Sequence, residues 1–145
     1  MDIAAAIKEF CLPHAQEDES KAFFYKMIGD YYRYTAENSP ADKLEEVKAG
    51  ANEGYQQADM FCKNIGACNP IKIGLALNYS VFHYDVMDNR KKAIELGELA
   101  LMEALEKIDD ADEETFRDAK SIIELLKENI SNWKEEENDN ALEDL

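Results

Sequence analysis

Two basic residues in the stretch KMIGDYYRY, residues 26–34, stand out in a chain with 32 acidic and 16 basic side chains. Lys26 and Arg33 are two helical turns apart, so a helix places them on one face. Asp30 lies between them, which allows a structural row of ion pairs, each worth about 0.2–0.5 kcal/mol. The alternative is an anion site, in which the guanidinium of Arg33 binds a phosphate and Tyr34 adds a hydroxyl donor.

Asn78 is a second polar residue in an unexpected place, within the apolar segment NPIKIGLALNYSVFHYDVM of residues 69–87. An amide buried there without a hydrogen-bond partner would cost about 1–3 kcal/mol. Asn78 therefore needs a partner, and two remain open at this point. It bonds either to a group inside the protein core or to the backbone of a bound ligand.

The composition predicts a single helical domain that does not bind nucleic acids or anionic membranes. The 145 residues include only six glycines and three prolines, which favours helices over a turn-rich β fold. The net charge is −16, whereas nucleic acids and anionic bilayers both require a basic surface. No apolar run reaches the length of a membrane span, so we expect no membrane insertion.

The chain start and the cysteines predict a cytoplasmic location. The first residues, MDIAAAIKEF, lack the basic flank and cleavage site of a signal peptide. Cys11, Cys62 and Cys68 are odd in number and form no Cys-x-x-Cys pair. Free thiols in a reducing cytosol are therefore expected, not disulfides or a zinc site.

Apolar residues at three- and four-residue spacing predict an all-α antiparallel stack of six helices joined by short loops. The fourth segment also alternates as a strand would, but its length of about 18 residues exceeds that of ordinary strands. Its Asn69-Pro70 opening is a helix start. Ser39 is expected to cap the third helix and Asp112 the sixth, whereas the first shows no start signal. The predicted helices cover residues 2–12, 17–37, 40–62, 70–87, 89–108 and 113–133.

The last twelve residues, KEEENDNALEDL, hold six acids and one base and predict a disordered acidic tail. The predicted organisation is thus one helical domain, residues 1–133, followed by a tail, residues 134–145. The segments GDYYRY and NYSVFHYD, about fifty residues apart, are weakly alike, which hints at stacked, TPR-like helix pairs.

Signatures of catalysis and metal binding are missing from the sequence. His14 and His83 each lack a second ligand at helical spacing, and no nucleophile motif or glycine-rich phosphate loop occurs. The acidic stretch DDADEETFRDAK has Glu114 where a calcium loop requires glycine, so it is interpreted as a helix cap. We therefore expect neither an enzyme nor a bound cofactor or metal.

Three long segments resemble the 14-3-3 protein family, in the same order along the chain. They are ESKAFFYKMIGDYYRYTAE, the apolar segment of residues 69–87, and KKAIELGELALMEALEKIDDADEETFRDAKSIIELLKENISNW. The resemblance runs from about Ile3 to Trp133. It implies an all-helical phosphopeptide adaptor that is dimeric and holds a phosphoserine or phosphothreonine segment in an amphipathic groove.

The resemblance also implies roles for individual residues. Arg33 and Tyr34 match the family's phosphate-binding pair, and Lys26 matches a basic residue near it. Asn78 and Asn129 match asparagines that bind the backbone of the peptide. The positions that match the lining of the groove are Gly74, Leu77, Val81, Ile122, Leu125 and Trp133.

The sequence also departs from the family pattern. The resemblance implies that it begins within the family's fourth helix, and that the dimer contacts and two further basic phosphate contacts lie before that point. Losing two such donors would cost about 3–6 kcal/mol, or roughly two to four orders of magnitude in affinity. Ser121 and Asn132 replace apolar groove residues, and Ile28 replaces a lysine.

Two hypotheses follow from the resemblance and its departures. The first is a phosphopeptide-binding adaptor with weakened affinity, whose partners are phosphorylated Ser/Thr client proteins. The alternative is a helical interaction module without phosphopeptide activity that self-associates or pairs with a 14-3-3-like chain. Apolar area left without the family's other helices would favour such pairing.

Overall fold

The computed structural model describes residues 2–143 and is built from helices, so the all-α prediction is confirmed. Six α-helices follow one another, and no strand occurs between residues 2 and 143. None of these helices combines the length and the apolar character needed to cross a bilayer. The helices are α1 (Ile3–Ala6), α2 (Asp18–Ala36), α3 (Ala41–Cys62), α4 (Pro70–Val81), α5 (Arg90–Lys107) and α6 (Glu113–Glu143).

Three of these helices continue into tighter or wider helical turns. A π-helical turn (Ile7–Cys11) and a 3-10 turn (Leu12–His14) follow α1, where a single helix over residues 2–12 is predicted. A π-helical turn (Phe82–Val86) follows α4, and a 3-10 turn (Ile108–Asp110) follows α5. The ambiguous fourth segment is therefore a helix.

Side chains cap the starts of several helices, because the first backbone N–H groups of a helix have no partner within it. Asn69 accepts a hydrogen bond from the Ile71 amide at 2.9 Å, and Asp112 accepts one from the Thr115 amide at 2.7 Å. These two predicted helix starts are confirmed.

Two predictions about helix starts are wrong. The first helix does have a start signal, since the Asp2 carboxylate accepts a hydrogen bond from the Ala5 amide at 2.7 Å. Ser39 does not cap α3, because its hydroxyl donates to the Thr35 carbonyl at 2.7 Å and Pro40 occupies the cap position. Ser39 therefore ends α2 instead of starting α3.

The described residues form two compact units. The first unit contains residues up to Gly66 together with Asp85–Met87. In it α2 packs against α3 so closely that a Cβ added to Gly54 would lie 2.7 Å from the backbone nitrogen of Gly29. A Cβ on Gly29 would lie 2.7 Å from the ring of Tyr55. Glycine is required at both positions because any side chain would push the two helices apart.

The second unit contains Ala67–Tyr84 and the residues from Asp88 onward. Here α4, α5 and α6 share one core. Its buried members are Ile73, Ala104, Ala119, Ile123, Leu126 and Ile130, with Leu77 and Ile122 packed against them. A smaller cluster joins Tyr84, Ala93 and Trp133, in which the rings of Tyr84 and Trp133 stack at 4.6 Å.

The prediction of disorder from residue 134 is wrong as far as Glu143, because α6 continues to that residue. This end of the helix is tied to the second unit by side chains. Glu136 accepts a hydrogen bond from the Tyr84 hydroxyl, and Glu137 accepts one from Arg90 at 3.3 Å. Contacts of this kind, between residues about fifty positions apart, are not visible in composition. The predicted tail also includes residues 144 and 145, which lie outside the described residues.

His83, in the π-helical turn after α4, is buried, and neither ring nitrogen has a hydrogen-bond partner among residues 2–143. Its ring packs on Tyr79 at 4.7 Å between centroids and edge-on to Phe82. Burial, with a smaller contribution from the positive charge of Lys92, lowers the pKa of His83 from 6.5 to about 4. The folded protein therefore holds this imidazole neutral in mildly acidic solution.

Acidification is expected to destabilise the protein through His83. Between pH 6.5 and pH 4 the unfolded chain binds a proton at this residue that the folded chain does not. The free energy of unfolding should thus fall by up to about 1.4 kcal/mol for each pH unit in that window. Urea unfolding at several pH values would show a flatter profile for His83→Phe, whereas the exposed control His14→Gln should follow the wild type. Parallel profiles for His83→Phe and wild type would contradict this assignment.

Candidate functional site

The basic residues singled out in the sequence form one cluster on α2, centred on Asp30. Lys26 Nζ lies 3.0 Å from one carboxylate oxygen of Asp30, and Arg33 Nη2 lies 3.8 Å from the other. The formal charge of these three side chains is +1. A singly positive cluster in a chain of net charge −16 is a local exception, and it suits an anion.

Tyr55 of α3 connects the cluster to the neighbouring helix. Its hydroxyl donates to Asp30 at 2.6 Å and accepts a hydrogen bond from Arg33 Nε at 3.0 Å. Burial and the charge of Asp30 raise the pKa of Tyr55 far above its ordinary value, so this hydroxyl stays protonated. The Tyr55 side chain is completely buried and therefore gives Arg33 a fixed anchor.

The guanidinium of Arg33 is held by one hydrogen bond and one longer ion pair. Nε donates to Tyr55 at 3.0 Å, whereas Nη2 lies 3.8 Å from Asp30, which exceeds hydrogen-bond length. The Tyr34 ring lies against the guanidinium carbon at 4.6 Å and is itself exposed. Burial acts to lower the pKa of Arg33, but its interactions with Tyr55 and Asp30 outweigh this and raise it. Arg33 is therefore always charged, and 11% of its side chain is exposed.

A second group of predicted residues lies on α4 and α6 of the second unit. Gly74, Leu77, Asn78 and Val81 share one face of α4 and are half-buried. Leu77 of α4 and Ile122 of α6 pack against the same core. The candidate positions on these two helices are therefore part of one packed unit. Asn129 is half-buried and Leu125 is 52% exposed. These candidate peptide positions therefore belong to one unit, and their role as peptide contacts stays a prediction.

Trp133 and Ile28 are placed differently from the other candidate positions. Trp133 is buried against Tyr84, so it supports the end of α6 more than it offers a surface. Ile28, expected to stand at a lysine position, is part of the core of the first unit with Ala4 and Ile7. Ser121 and Asn132, which replace apolar residues, are exposed.

The sequence was compared with protein families and with curated proteins. The model of the family described as "14-3-3 protein" matches residues 1–134. The chain belongs to the 14-3-3 family. The resemblance noted from Ile3 to Trp133 is thereby confirmed.

Curated relatives from distant organisms match this 14-3-3 chain over nearly all of its length. It is 41% identical to "14-3-3 protein 2" of Entamoeba histolytica over 132 residues, which cover 91% of this chain and 56% of that protein. It is 42% identical to "14-3-3 protein homolog" of Encephalitozoon cuniculi, covering 92% and 52%. For "14-3-3 protein beta/alpha-A" of Xenopus laevis the identity is 38%, covering 93% and 56%. The chain thus spans about half the length of the curated relatives it matches.

Tyr55 is the site residue that sequence analysis missed. Its position in the apolar row of α3 identifies it as a core residue, which it is, and this conceals the role of its hydroxyl. The available signal was the glycine before it. Gly54 and Gly29 indicate a close approach of α3 to the middle of α2, the stretch that carries Asp30 and Arg33.

Tyr55→Phe is expected to weaken the site without unfolding the protein. The change removes one hydroxyl that both Asp30 and Arg33 use, so we expect a loss of about 1–3 kcal/mol in the free energy of unfolding. Arg33 should also become mobile and bind an anion less tightly. Urea unfolding and phosphopeptide titration would measure the two effects, with Tyr25→Phe as control because Tyr25 stacks on Phe61 outside the cluster. Equal values for both variants would contradict a role for this hydroxyl.

Proposed function

We propose that this chain is a phosphoserine/phosphothreonine-peptide-binding adaptor of the 14-3-3 type, not an enzyme, and that it acts in the cytoplasm. The observation that carries the proposal is the Arg33 guanidinium, whose Nε is held by Tyr55 while Nη2 lies beyond hydrogen-bond length from Asp30, at 3.8 Å. The paired N–H donors of a planar guanidinium have the spacing needed to bind two oxygens of a phosphate. Lys26 supplies a second positive charge within the same cluster.

The second unit is proposed to bind peptide through residues of its own. In this proposal Asn78 and Asn129 hydrogen-bond the peptide backbone, and the half-buried apolar row of α4 and α6 takes its side chains. The exposed polar residues Ser121 and Asn132 make that surface less apolar than the family pattern. The flanks of a peptide should consequently contribute little to affinity.

We propose that these 145 residues alone bind a phosphopeptide with modest affinity. The resemblance places two further basic phosphate contacts in the part of the family's chain that this sequence does not cover. Two missing charged hydrogen bonds of about 1.5–3 kcal/mol each would lower affinity by roughly two to four orders of magnitude. Phosphorylated client proteins would then bind transiently.

The experiment that tests this function compares a phosphoserine peptide with its unphosphorylated twin. Fluorescence anisotropy with the whole 145-residue chain should show at least tenfold tighter binding of the phosphorylated form. Inorganic phosphate in excess should compete with it, because both use the same guanidinium. Equal binding of the two peptides would exclude the adaptor function for this chain.

A second candidate function, a helical module that pairs with other chains, is favoured by a different observation. Large apolar side chains of the first unit are exposed, among them Ile3 at 56%, Phe10 at 60% and Phe23 at 43%. Such surface favours self-association or pairing with a 14-3-3-like chain. Sedimentation velocity would measure whether the chain pairs. A chain that pairs but shows no preference for the phosphorylated peptide would support the helical module and not the adaptor.

A further inference from the structure

A trough of about 540 Å³ lies between α5 and α6 of the second unit. Two of its side chains are large, apolar and exposed: Met102 at 53% and Leu105 at 43%. Leu99, one helical turn before Met102 on α5, is also 53% exposed. The residues that line the trough are Glu98, Leu101, Met102, Leu105, Glu106, Ile130 and Lys134.

This trough is separate from the surface assigned to the peptide. On α6 the candidate peptide positions are Ile122, Leu125, Asn129 and Trp133, whereas the trough uses Ile130 and Lys134. At 100° per residue, the two rows are about a third of a turn apart around the helix. On α5 the trough uses a helix that contributes none of the proposed phosphopeptide contacts. The trough and the candidate peptide positions therefore lie on different faces of α6.

The charges around the trough indicate which kind of partner fits it. Lys134 forms an ion pair with Glu98, so it is neutralised locally, whereas the exposed Glu106 has no ion pair within residues 2–143. The chain as a whole carries −16. A second copy of this chain would bring the same acidic rims together, and an anionic bilayer would be repelled in the same way. A basic occupant is the complementary one.

The shape of the trough is that of a groove between two packed helices with apolar walls. Grooves of this kind accept the apolar face of an amphipathic helix, which is recognised through side chains at positions i, i+3 or i+4, and i+7. Met102 adds an unbranched, polarizable side chain that adapts to different partners. Leu99, Met102 and Leu105 follow one another at three-residue spacing, so they extend the apolar surface along α5 beside the trough.

We propose that the α5–α6 trough binds an amphipathic α-helix of a partner protein, with apolar residues on one face and lysine or arginine on the flanks. The apolar face of that helix contacts Met102, Leu105 and Ile130. Its basic residues lie near Glu106. The proposal for this site does not depend on the phosphopeptide function.

A synthetic helix tests the proposal on the whole chain. The probe is a fluorescent peptide of about 14 residues, roughly four helical turns, with leucine at the i, i+3, i+4 and i+7 positions and lysine elsewhere. A peptide of the same composition with the leucines scrambled controls for charge alone. We expect the patterned peptide to bind at least tenfold more tightly than the scrambled one at physiological salt.

Substitutions show where on the protein the patterned peptide binds. The double variant Met102→Asn/Leu105→Asn keeps the charge but removes the apolar wall, and should lose at least tenfold in affinity. Glu106→Gln should lose a few-fold, an effect that salt diminishes. Met60→Asn, an equally exposed methionine of the first unit, should bind as wild type does, and so should Arg33→Ala.

Several outcomes would overturn the proposal. Equal binding of the patterned and scrambled peptides would show non-specific attraction to an acidic protein. Unchanged affinity in the double variant would place the peptide elsewhere, and circular dichroism would verify that this variant is folded. Should it not fold, the single surface change Met102→Lys takes its place, with the same loss expected. A concentration-dependent dimer that these substitutions abolish would make a second copy the occupant instead.

Discussion

Replacing Arg33 with alanine is expected to abolish most of the preference for a phosphoserine peptide over its unphosphorylated twin. The guanidinium is the proposed phosphate ligand, since Nε is held by Tyr55 while Nη2 makes only a long ion pair with Asp30, at 3.8 Å. Each charged hydrogen bond contributes about 1.5–3 kcal/mol, so the loss of one lowers affinity roughly ten- to hundredfold. Anisotropy titration with both peptides would measure this loss, which should be larger still if both nitrogens engage the phosphate.

Two further variants make the Arg33 result interpretable. Arg33→Lys keeps the charge but loses the planar fork, so its affinity should fall between those of wild type and Arg33→Ala. Arg117→Ala removes a largely exposed arginine at the start of α6 and should bind as wild type does. A folded Arg33→Ala protein with undiminished preference for phosphoserine would disprove the assignment of this residue.

Gly54→Ala is expected to be the most damaging single-methyl substitution in the first unit. The added Cβ would lie 2.7 Å from the backbone nitrogen of Gly29 and 3.1 Å from the carbonyl oxygen of Tyr25. Backbone atoms cannot rotate away as a flexible side chain can, so α2 and α3 must separate. Overpacking of this kind typically costs about 1–3 kcal/mol, against a gain of up to about 1 kcal/mol from better helix propensity. Urea unfolding should show a net loss of stability.

The same displacement should reach the proposed phosphate site, because Tyr55 follows Gly54 directly and holds Arg33. Phosphopeptide affinity of Gly54→Ala should fall even at temperatures where the variant is folded. Gly66→Ala is the matched control, since a Cβ there meets nothing within 4 Å and the residue does not have a positive φ. A Gly54→Ala protein as stable as Gly66→Ala would show that the close packing of α2 and α3 is not required.

Much of the helical framework was predictable because its signals are local. Caps such as Asn69 and Asp112 bind backbone groups within three residues of themselves. The spacing of apolar residues identifies the buried face of a single helix. Lys26 and Arg33 could be placed together for the same reason, since both lie on α2. Asn78 stood out as an amide within an apolar segment, whereas Asn129 was singled out only by the family resemblance. Ser39 was assigned wrongly because its hydroxyl serves the preceding helix, which local pattern alone does not distinguish.

The helices, the family and the basic pair on α2 follow from the sequence alone, since each depends on residues near one another or on long shared segments. The fold was needed to show that Tyr55, 22 residues after Arg33, anchors the guanidinium, and that α6 continues past residue 134 to meet Tyr84 and Arg90. These contacts could not be predicted because they depend on how closely and in what register the helices pack. That register results from the combined fit of many side chains and not from any single local pattern.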